Sequence, residues 1–547
     1  MTTNRQDIPL NMVGSNIFGR YPKISSEQTW NMFISDNWLA PYFGHQAVYS
    51  SSSGFEGRAL FNSTRAKTMI MVVDDNVYAV DSNLAKNKIG ELESFSGDVF
   101  IDENDANQIG ICDKKDIHVY NHETKVFSKA PITGFIPGYI AFQDGYFIAP
   151  DLSKPEWRLS ALNNGLSWPS APANIGRFEG KADDPVACIR IPAKENQLMV
   201  IGGINSQFWT NVGYRIFPYQ RNTGFSVDYG AIPDTIASSD TFVIWAGVNE
   251  KSGLTIMVSS GGGAEQISTD GINYRLSQLS HPEMAYGFLV KLDGHLFYQI
   301  TFPHVEDNLS YIYDLNTKKF FSLSDEDMNC HIAKQAIYFN GDYYFISFKD
   351  GNLYKMSSSF STYNGKTIPR IRIPSTIRKA DNSPFIINKL SFVTEQGQGE
   401  NRQHVSPAAI KGEISLATDF PIKENVKYGD AYLIPNGITV VDDDDIRTYT
   451  CQTFSAPLSV HLDKLMIIWN GFNWDVVGDN TMNIDLSVSY DGGNSFGNVN
   501  RIDMNREGVH QNMVVVWGLG HANEFVPQFR FLGKNRFLVG NGTVSVY

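Results

Sequence analysis

Residues 197–213 read QLMVIGGINSQFWTNVG, and residues 291–302 read KLDGHLFYQITF. Both stretches place short runs of aromatic and β-branched residues between Gly, Asp and Asn, which is the pattern of a strand, a tight turn and a second strand. Asp293-Gly294 supplies the positive φ angles that a two-residue hairpin turn needs. The region from Gln197 to Phe348 is therefore predicted to consist of antiparallel hairpins.

The same unit recurs along the first two thirds of the chain. It returns in Thr68 to Val80, Asn107 to Ala130, Tyr139 to Asp151, Val186 to Gly203 and Gln335 to Met356. About seven units fall between Gly57 and Met356 at a spacing of roughly 40 to 45 residues, the length of one four-stranded propeller blade. The sequence predicts a β-propeller of six, seven or eight blades, and no amphipathic helix stands out.

Three regions of the chain differ in residue composition and in strand pattern. Residues 1–54 are polar, contain scattered prolines and are predicted to form an extended N-terminal arm that docks on another surface, because Trp30 and Phe33 make its centre too apolar to be left in water. Residues 55–360 hold the predicted propeller. Residues 361–547 follow a Ser- and Thr-rich connector and a basic patch, Arg370 to Lys379. Their less regular strand pattern predicts a second, sandwich-like β-domain.

The overall charge argues against a nucleic-acid-binding protein. The chain of 547 residues carries 45 basic and 58 acidic residues, a formal net charge of -13, so its surface as a whole would repel a phosphate backbone. The first residues lack the apolar segment of a signal peptide, and no stretch is long and apolar enough to span a bilayer. We therefore expect cytoplasmic synthesis and no membrane insertion.

The cysteines predict neither a metal site nor a disulfide framework. Cys112, Cys188, Cys330 and Cys451 are far apart in the sequence. A zinc knuckle needs pairs two to four residues apart, and stapled scaffolds are much denser in cysteine.

The motif closest to a functional site is SYDGGNSF, Ser489 to Phe496, which fits the Asp-box pattern of sialidase-type propellers. In such a motif the carboxylate of the Asp, here Asp491, caps backbone amides of its own turn, so we interpret it as structural. STDGINY, Ser268 to Tyr274, is a weaker version. A sialidase also needs an arginine triad and a tyrosine nucleophile, which no motif in the sequence identifies.

Three other groups of residues offer possible ligands. The carboxylates of Asp442 to Asp445 and of Asp102, Glu103 and Asp105 offer oxygen ligands for Ca²⁺, but they lack EF-hand spacing and are interpreted as solvated loops. SSGGGAE, Ser259 to Glu265, imitates a phosphate-binding loop without its Lys-Ser/Thr ending and is interpreted as a hairpin tip.

HVYNH places His118 and His122 on one face of a strand without a third ligand. The sequence predicts no catalytic, cofactor-binding or metal-binding residue and no cofactor.

Five segments in a fixed order resemble the tail hub (nozzle) proteins of short-tailed double-stranded DNA phages, the family also called packaged-DNA stabilisation proteins. They are TWNMFISDN near the N-terminus, ENQLMVIGGINSQFWTNVG followed by FPYQRNTGFSVDYGAIPDTIA, FVIWAGVNEKSGLTIMVSSGGGAEQIST, GHLFYQITFP with YIYDLNTKKFF, and LSVSYDGGNSFGNV. Together they span about residues 28 to 530. Two departures are Gly57-Arg58-Ala59-Leu60, where the family has Arg-Gly-Leu, and Arg402 to Arg447, which does not align.

The resemblance implies a non-enzymatic structural protein of the virion tail. Its members form a homo-oligomer, a hexameric ring below the portal and its adaptor protein, which extends the DNA channel, carries fibre, spike or needle proteins, and retains the packaged DNA until ejection. Double-stranded DNA would pass through without sequence-specific binding, and an acidic wall suits such a conduit. Two alternatives remain open, a carbohydrate-active propeller such as a sialidase or depolymerase, and a host-surface-binding module at the tail tip.

Overall fold

The computed structural model describes residues 5–19, 27–49, 55–179, 181–399, 482–504 and 511–547, together with the backbone of several strands between 403 and 478. The chain divides into two compact units. The larger, the propeller unit, comprises Ser15–Phe33 and Phe43–Gly365, and the smaller, the C-terminal unit, comprises Met1–Gly14, Ile34–Tyr42 and Lys366–Tyr547. The structure thus distributes the residues of the predicted arm, 1–54, over both units.

The described residues of the propeller unit form seven antiparallel sheets, which we name blades 1 to 7. In chain order they comprise Gly57–Ser63, Thr68–Val73, Asn76–Val80 and Lys86–Glu91 (blade 1); Phe100–Glu103, Gln108–Cys112, Ile117–Asn121 and Val126–Lys129 (blade 2); Ala141–Gln143, Tyr146–Asp151, Glu156–Leu159 and Ile175–Arg177 (blade 3); Pro185–Arg190, Gln197–Gly202, Ser206–Asn211 and Tyr219–Val227 (blade 4); Gly230–Ala231 with Ala237–Ser238, Val243–Asn249, Gly253–Ser259 and Glu265–Gln266 (blade 5); Tyr286–Leu292, His295–Phe302, Leu309–Asp314 and Lys319–Leu323 (blade 6); and Ala333–Phe339, Asp342–Ser347, Leu353–Ser357 and Gly44–Ala47 (blade 7).

The first strand of each blade lies innermost. Neighbouring blades contact one another through these strands or the next strand outward, and the first strand of blade 7 contacts that of blade 1. The ring is therefore closed, so that each blade packs against two neighbours near the axis. The prediction of an all-β fold with a propeller of six to eight blades is confirmed.

The turns explain why the hairpins form. Asp144 and Gly145, with φ angles of 50° and 86°, join two strands of blade 3, and Asn340 and Gly341, with 48° and 94°, join two strands of blade 7. Asp and Asn tolerate this left-handed region better than other side chains, and Gly enters it without strain.

Large aromatic side chains fill the space between blades 3 and 4. Trp157 of blade 3 and Trp209 of blade 4 meet edge to face at 5.3 Å, with Leu198 and Val200 of blade 4 buried beside them. Gly176 lies against this cluster, because a Cβ atom there would fall 2.2 Å from Cε2 of Trp157. Each blade thus buries its apolar faces against its neighbours.

The N-terminal region supplies strands to two blades. Gly44–Ala47 pairs antiparallel with Leu353–Ser357 as the fourth strand of blade 7, so residues from both ends of the propeller unit complete one sheet. Trp30 of the strand Gln28–Trp30 pairs in parallel register with Ser322 of blade 6.

Phe33 is buried and packs edge to face on Phe297 at 5.1 Å. The apolar centre of the predicted arm thus docks on the chain's own propeller.

The C-terminal unit contains two principal sheets, as the sandwich-like prediction requires. Phe392 of one sheet contacts Phe529 of the other, with 5.1 Å between the ring centres. The first sheet comprises Gln6–Leu10, Trp38–Pro41, Phe385–Gly399, Asn512–Trp517 and Asn535–Val546, with His521–Ala522 at the start of Phe385–Gly399; the second comprises Arg370–Ile373, Asn483–Ser489, Asn500–Asp503 and Val526–Leu532.

The remaining strands are short or belong to a smaller sheet. Gln403–Val405, Trp474–Gly478, Lys464–Trp469 and Ala431–Pro435 form one sheet, and Thr439–Val440 pairs with Tyr449–Thr450. Met32–Ser35, Thr362–Tyr363 and Lys366–Thr367 complete the set of described strands.

The described residues include one α-helix, Asp270–Leu276, which the sequence did not predict. The Oγ1 atom of Thr269 accepts a hydrogen bond from the backbone nitrogen of Ile272, and Ile272 and Leu276 are buried in the core between blades 5 and 6. The helix is only two turns long, so its apolar pattern is too short to be recognised.

Three 3₁₀-helices also occur, Pro172–Asn174, Pro233–Thr235 and Pro282–Met284. In the part of the chain that the structure describes, no helix is both long and apolar enough to cross a membrane.

Candidate functional site on the propeller axis

Charged side chains from three blades that are not neighbours meet at the centre of the ring. Lys334 lies on the inner strand of blade 7, Asp234 lies in the 3₁₀-helix Pro233–Thr235 that interrupts the inner edge of blade 5, and Asp98 directly precedes the inner strand of blade 2. The Nζ atom of Lys334 is 3.7 Å from Oδ1 of Asp98 and 3.6 Å from Oδ2 of Asp234. We call these three residues the axial cluster.

The environment shifts the pKa values of the two axial carboxyl groups, those of Asp98 and Asp234, in opposite directions. Burial, reinforced by the charge of Asp98, raises the pKa of Asp234 to about 8. Burial also tends to raise the pKa of Asp98, but Lys334 and Lys114 outweigh it and hold this pKa below its usual value. At neutral pH Asp234 is therefore largely protonated beside an ionised Asp98 and the ammonium of Lys334.

This arrangement suits structural bonding better than glycoside hydrolysis. Asp98 and Asp234 lie within hydrogen-bonding reach of each other, whereas glycosidases keep their two carboxyl groups about 5 to 9.5 Å apart to admit a sugar or water. The side chain of Lys334 is only 6% exposed. The axial cluster ties blades 2, 5 and 7 together across the centre of the ring.

A cavity of about 430 Å³ lies between the inner strands of blades 1 to 4. Its polar lining includes Asp102, Glu103, Asp105, Arg65 and Arg190. Both signs of charge are present, which is a lining suited to a polar ligand or to a polar side chain of another protein.

The structure corrects the interpretation of Asp102 and Glu103 as members of a solvated loop. Both end the inner strand Phe100–Glu103. The Oδ2 atom of Asp102 accepts a hydrogen bond of 2.6 Å from the backbone nitrogen of Phe142 in blade 3, and burial raises the pKa of this carboxyl to about 6. Glu103 accepts hydrogen bonds from Ser63 and Thr64 of blade 1. These two carboxylates fasten neighbouring blades.

Asp105, the third member of that group, is exposed and pairs with Arg65. The other carboxylate group weighed as a Ca²⁺ site, Asp442 to Asp445, lies outside the described residues.

The interpretation of Asp491 as a turn residue is confirmed. Its Oδ1 atom accepts hydrogen bonds from the backbone nitrogens of Asn494 and Ser495, both 3.0 Å long, and from the hydroxyl of Ser489 at 2.6 Å. The hydroxyl of Ser489 is the strongest of the interactions that lower the pKa of Asp491, followed by that of Ser495. The motif closes the loop between Asn483–Ser489 and Asn500–Asp503 of the C-terminal unit.

The other motifs also have local roles. Ser259 to Glu265 forms the predicted hairpin tip, with Gly261 and Gly262 at φ angles of 92° and 87°. Ser268 to Tyr274 leads into the helix Asp270–Leu276 instead of an Asp-box turn. His118 is buried and stacks on Phe127 at 5.3 Å within blade 2.

Cys112, Cys188 and Cys330 are free and buried. Burial raises the pKa of Cys112 to about 12 and that of Cys330 to about 11, so these thiols are unreactive core side chains. Cys451 lies outside the described residues.

A protein-family model described as the β-propeller of bacteriophage P22 Gp10 matches residues 28–361. The chain belongs to this family. The match begins at the strand Gln28–Trp30, includes Gly44–Ala47 and ends after blade 7, so it covers the blades together with the N-terminal strands that complete blades 6 and 7. Members are structural proteins of phage tails, and this chain is a component of the virion.

Several solved structures are distantly similar to this chain. A streptogramin B lyase shares 11% identity and a TM-score of 0.40, with 59% of this chain and 99% of the lyase covered. An inactive virginiamycin B lyase from Staphylococcus aureus shares 10% sequence identity with this chain at a TM-score of 0.41. The match covers 58% of this chain and 99% of the lyase. The WD40 propeller domain of Doa1 shares 12% sequence identity at a TM-score of 0.35. That match covers 58% of this chain and 98% of the Doa1 domain. Among curated proteins, no sequence matches this chain.

Proposed function

We propose that this protein is the tail hub, or nozzle, of a short-tailed DNA phage. In this role several copies, six by the family resemblance, form a ring below the portal and its adaptor, extend the DNA channel, retain the packaged genome until ejection, and carry fibre, spike or needle proteins. The protein acts without catalysis or a cofactor. Membership of the P22 Gp10 propeller family is the observation that carries this proposal.

The axial cluster supports a channel between protomers instead of through one protomer. Lys334 lies within ion-pair distance of both Asp98 and Asp234 across the centre of the ring. Opening that centre to the width of a DNA duplex would separate all three groups and leave charges without partners, which is costly inside a protein. A duplex therefore passes beside the propeller, and a ring of propellers is the simplest way to enclose it.

An exposed apolar hairpin in blade 4 supports lateral association. The loop between Ser206–Asn211 and Tyr219–Val227 exposes Tyr214 and Ile216, which are 62% and 80% accessible in the single chain, and Phe225 on the second strand is 50% accessible. Exposed side chains of this size on one hairpin are typical of a surface that another protein covers. We assign this hairpin to the seam between protomers.

The acidic composition suits a conduit. A net charge of -13 per chain is multiplied in a ring, and like charge keeps a passing duplex from adhering to the wall. A hub must release DNA quickly, so weak attraction is an advantage.

The proposal is tested by the oligomeric state. Tag-free protein is measured by native mass spectrometry, alone and after addition of the phage's portal–adaptor complex. A ring of about six copies, formed alone or on the adaptor, supports the hub. A protein that stays monomeric in both conditions, or that forms a stable trimer, contradicts it.

The cavity of blades 1 to 4 favours a second candidate, binding of a host-surface glycan. Its lining contains two arginines, Arg65 and Arg190, and three carboxylates, which offer several hydrogen-bonding groups around about 430 Å³. Titration with host lipopolysaccharide or capsular oligosaccharide tests it. Saturable binding that Arg190→Ala abolishes supports this candidate, and the absence of binding removes it without affecting the hub proposal.

A further inference from the structure

Two histidines and a glutamate converge on one side of the propeller unit, away from the axial cluster. His281 lies in the connection from blade 5 to blade 6, while His304 and Glu306 lie in the loop between His295–Phe302 and Leu309–Asp314 of blade 6. One possible ligand atom from each of these residues lies within 4.8 Å of the other two. We propose that His281, His304 and Glu306 form a binding site for a divalent transition-metal ion, with Zn²⁺ as the preferred occupant.

The possible ligand atoms lie somewhat farther apart than those of a metal-loaded site. The rings of His281 and His304 have centres 3.8 Å apart, and Nε2 of His281 is 3.9 Å from Oε2 of Glu306. Ligand atoms of a tetrahedral zinc ion, bound at about 2.0 to 2.2 Å, lie roughly 3.3 to 3.6 Å from one another. The side chains of His281 and Glu306 are 39% and 61% exposed, which leaves them room to rotate towards a shared ion.

The backbone around the ligands is held in place without a metal. The carboxylate of Asp307 accepts hydrogen bonds from the backbone nitrogens of Ser280 and His281, at 2.7 and 2.9 Å. The carbonyl of His304 accepts from the backbone nitrogens of Asp307 and Asn308. One carboxylate thus fastens the loop that carries His281 to the loop that carries the other two ligands, so little ordering remains to be done when a metal binds.

A further carboxylate orients the first histidine. The Nδ1 atom of His281 is 3.2 Å from Oε1 of Glu283, which leaves Nε2 directed to the side of Glu306. Metal-binding histidines commonly donate their second ring N–H to a carboxylate in this way, which fixes the tautomer and strengthens the ligand. Glu283, Glu306 and Asp307 also give the site a negative charge that favours a cation.

The donor set selects the class of metal. Two imidazole nitrogens and one carboxylate oxygen suit Zn²⁺ and its neighbours in the first transition series, whereas Ca²⁺ and Mg²⁺ prefer oxygen ligands alone. Three protein ligands leave a fourth position for water. Because the ligands come from two separate loops, a bound ion would act as a clip between the blade 5 to blade 6 connection and blade 6.

The test uses the full-length, tag-free protein after removal of metals with a chelator. Titration with ZnCl₂ in a calorimeter, and with CoCl₂ in a visible spectrometer, should show one ion per chain and the absorption of Co²⁺ bound to nitrogen ligands. His304→Gln and Glu306→Gln should each weaken Zn²⁺ binding by about tenfold or more. His521→Gln, which removes an exposed histidine of the C-terminal unit, is the matched control and should bind like the wild type.

Circular dichroism of each variant checks that it remains folded, and loop substitutions at partly exposed residues should pass this check. Zn²⁺ binding that is absent in the wild type, or that is unchanged in both loop variants, overturns the proposal. A Co²⁺ spectrum that persists in His304→Gln also overturns it, whatever the calorimetric affinity.

Discussion

The Nζ atom of Lys334 lies 3.6 Å from Oδ2 of Asp234, although the two residues belong to blades 7 and 5 and are separated by the whole of blade 6. A contact of this kind forms only when the ring is closed, because it spans the centre of the propeller. The stability of the axial cluster therefore reports on closure of the ring.

Asp234→Asn should change how stability depends on pH. In the folded protein the pKa of Asp234 is about 8, far above the ordinary value of 3.8. Between these values the folded chain keeps a proton that the unfolded chain releases, so the contribution of this group is present in acid and is lost as the pH rises towards 8. Asn cannot ionise, so the variant should gain stability relative to the wild type between pH 5 and pH 8.

The measurement is the thermal unfolding midpoint at both pH values. Asp240→Asn, an exposed change in the same blade, is the control and should shift little with pH. If the unfolding midpoints of the wild type and of Asp234→Asn change with pH in the same way, the carboxyl of Asp234 is ionised throughout this range.

Lys334→Met should destabilise the propeller at neutral pH. It removes the cation between Asp98 and Asp234, and breaking a buried ion pair costs about 3 to 5 kcal/mol. We expect the lower end, about 3 kcal/mol, because Lys114 still contacts Asp98. Urea unfolding measures the loss, with Lys319→Met, a change at an exposed residue of blade 6, as control. If Lys334→Met and Lys319→Met lower the free energy of unfolding equally, the axial cluster does not contribute to the stability of the ring.

Acid should loosen blade 7. His45 lies on the fourth strand of this blade and stacks on Tyr363 at 4.5 Å. Burial, followed by the charge of His331, holds the pKa of His45 well below 6.5, and burial lowers that of His331 to about 4. Below about pH 6.5 the unfolded chain takes up protons that the folded chain refuses, so stability falls as the pH drops towards 4.

His45→Phe should reduce this acid sensitivity, because Phe fits among the aromatic rings around it and takes no proton. Hydrogen exchange of Gly44–Ala47 at pH 7 and pH 5, expressed as protection relative to the intrinsic exchange rate at each pH, measures the effect. If protection is lost in acid to the same extent in the variant and the wild type, the acid sensitivity does not come from His45.

The blade 4 hairpin should control assembly. Replacing Tyr214 and Ile216 together by Ser removes the two most exposed apolar side chains of this loop, so ring formation should fall at least tenfold while the unfolding midpoint stays the same. Analytical ultracentrifugation measures the ring fraction. Val126→Ser, which removes an exposed apolar side chain from blade 2, is the control. If the double variant forms as large a fraction of rings as the control variant, this hairpin does not lie in the contact between protomers.

Much of the fold could be predicted because local chemistry determines it. Asp293 and Gly294 adopt the positive φ angles that their hairpin required, at 48° and 81°, and the repeated spacing of such turns indicates a propeller. The closing strand Gly44–Ala47 could not be recognised, because its four residues, GHQA, carry no alternation of apolar and polar side chains. It forms because blade 7 lacks an outer partner, which is a property of the closed ring.

The axial cluster was missed for a similar reason. Lys334, Asp98 and Asp234 are widely separated in the sequence, and each stands in a different local context. Only the return of every inner strand to one axis brings them together. The same holds for His281 and Glu306, whose loops meet through Asp307. Asp491, by contrast, makes its hydrogen bonds within four residues and could be interpreted from sequence alone.

Electron cryomicroscopy of the intact tail tests the central claim most directly. We predict a ring of propellers around the tail axis, about six in number, with the DNA channel enclosed between protomers and the centre of each propeller closed by Lys334, Asp98 and Asp234. A single copy or a trimer at the tail tip, or DNA density running through the centre of a propeller, would contradict it.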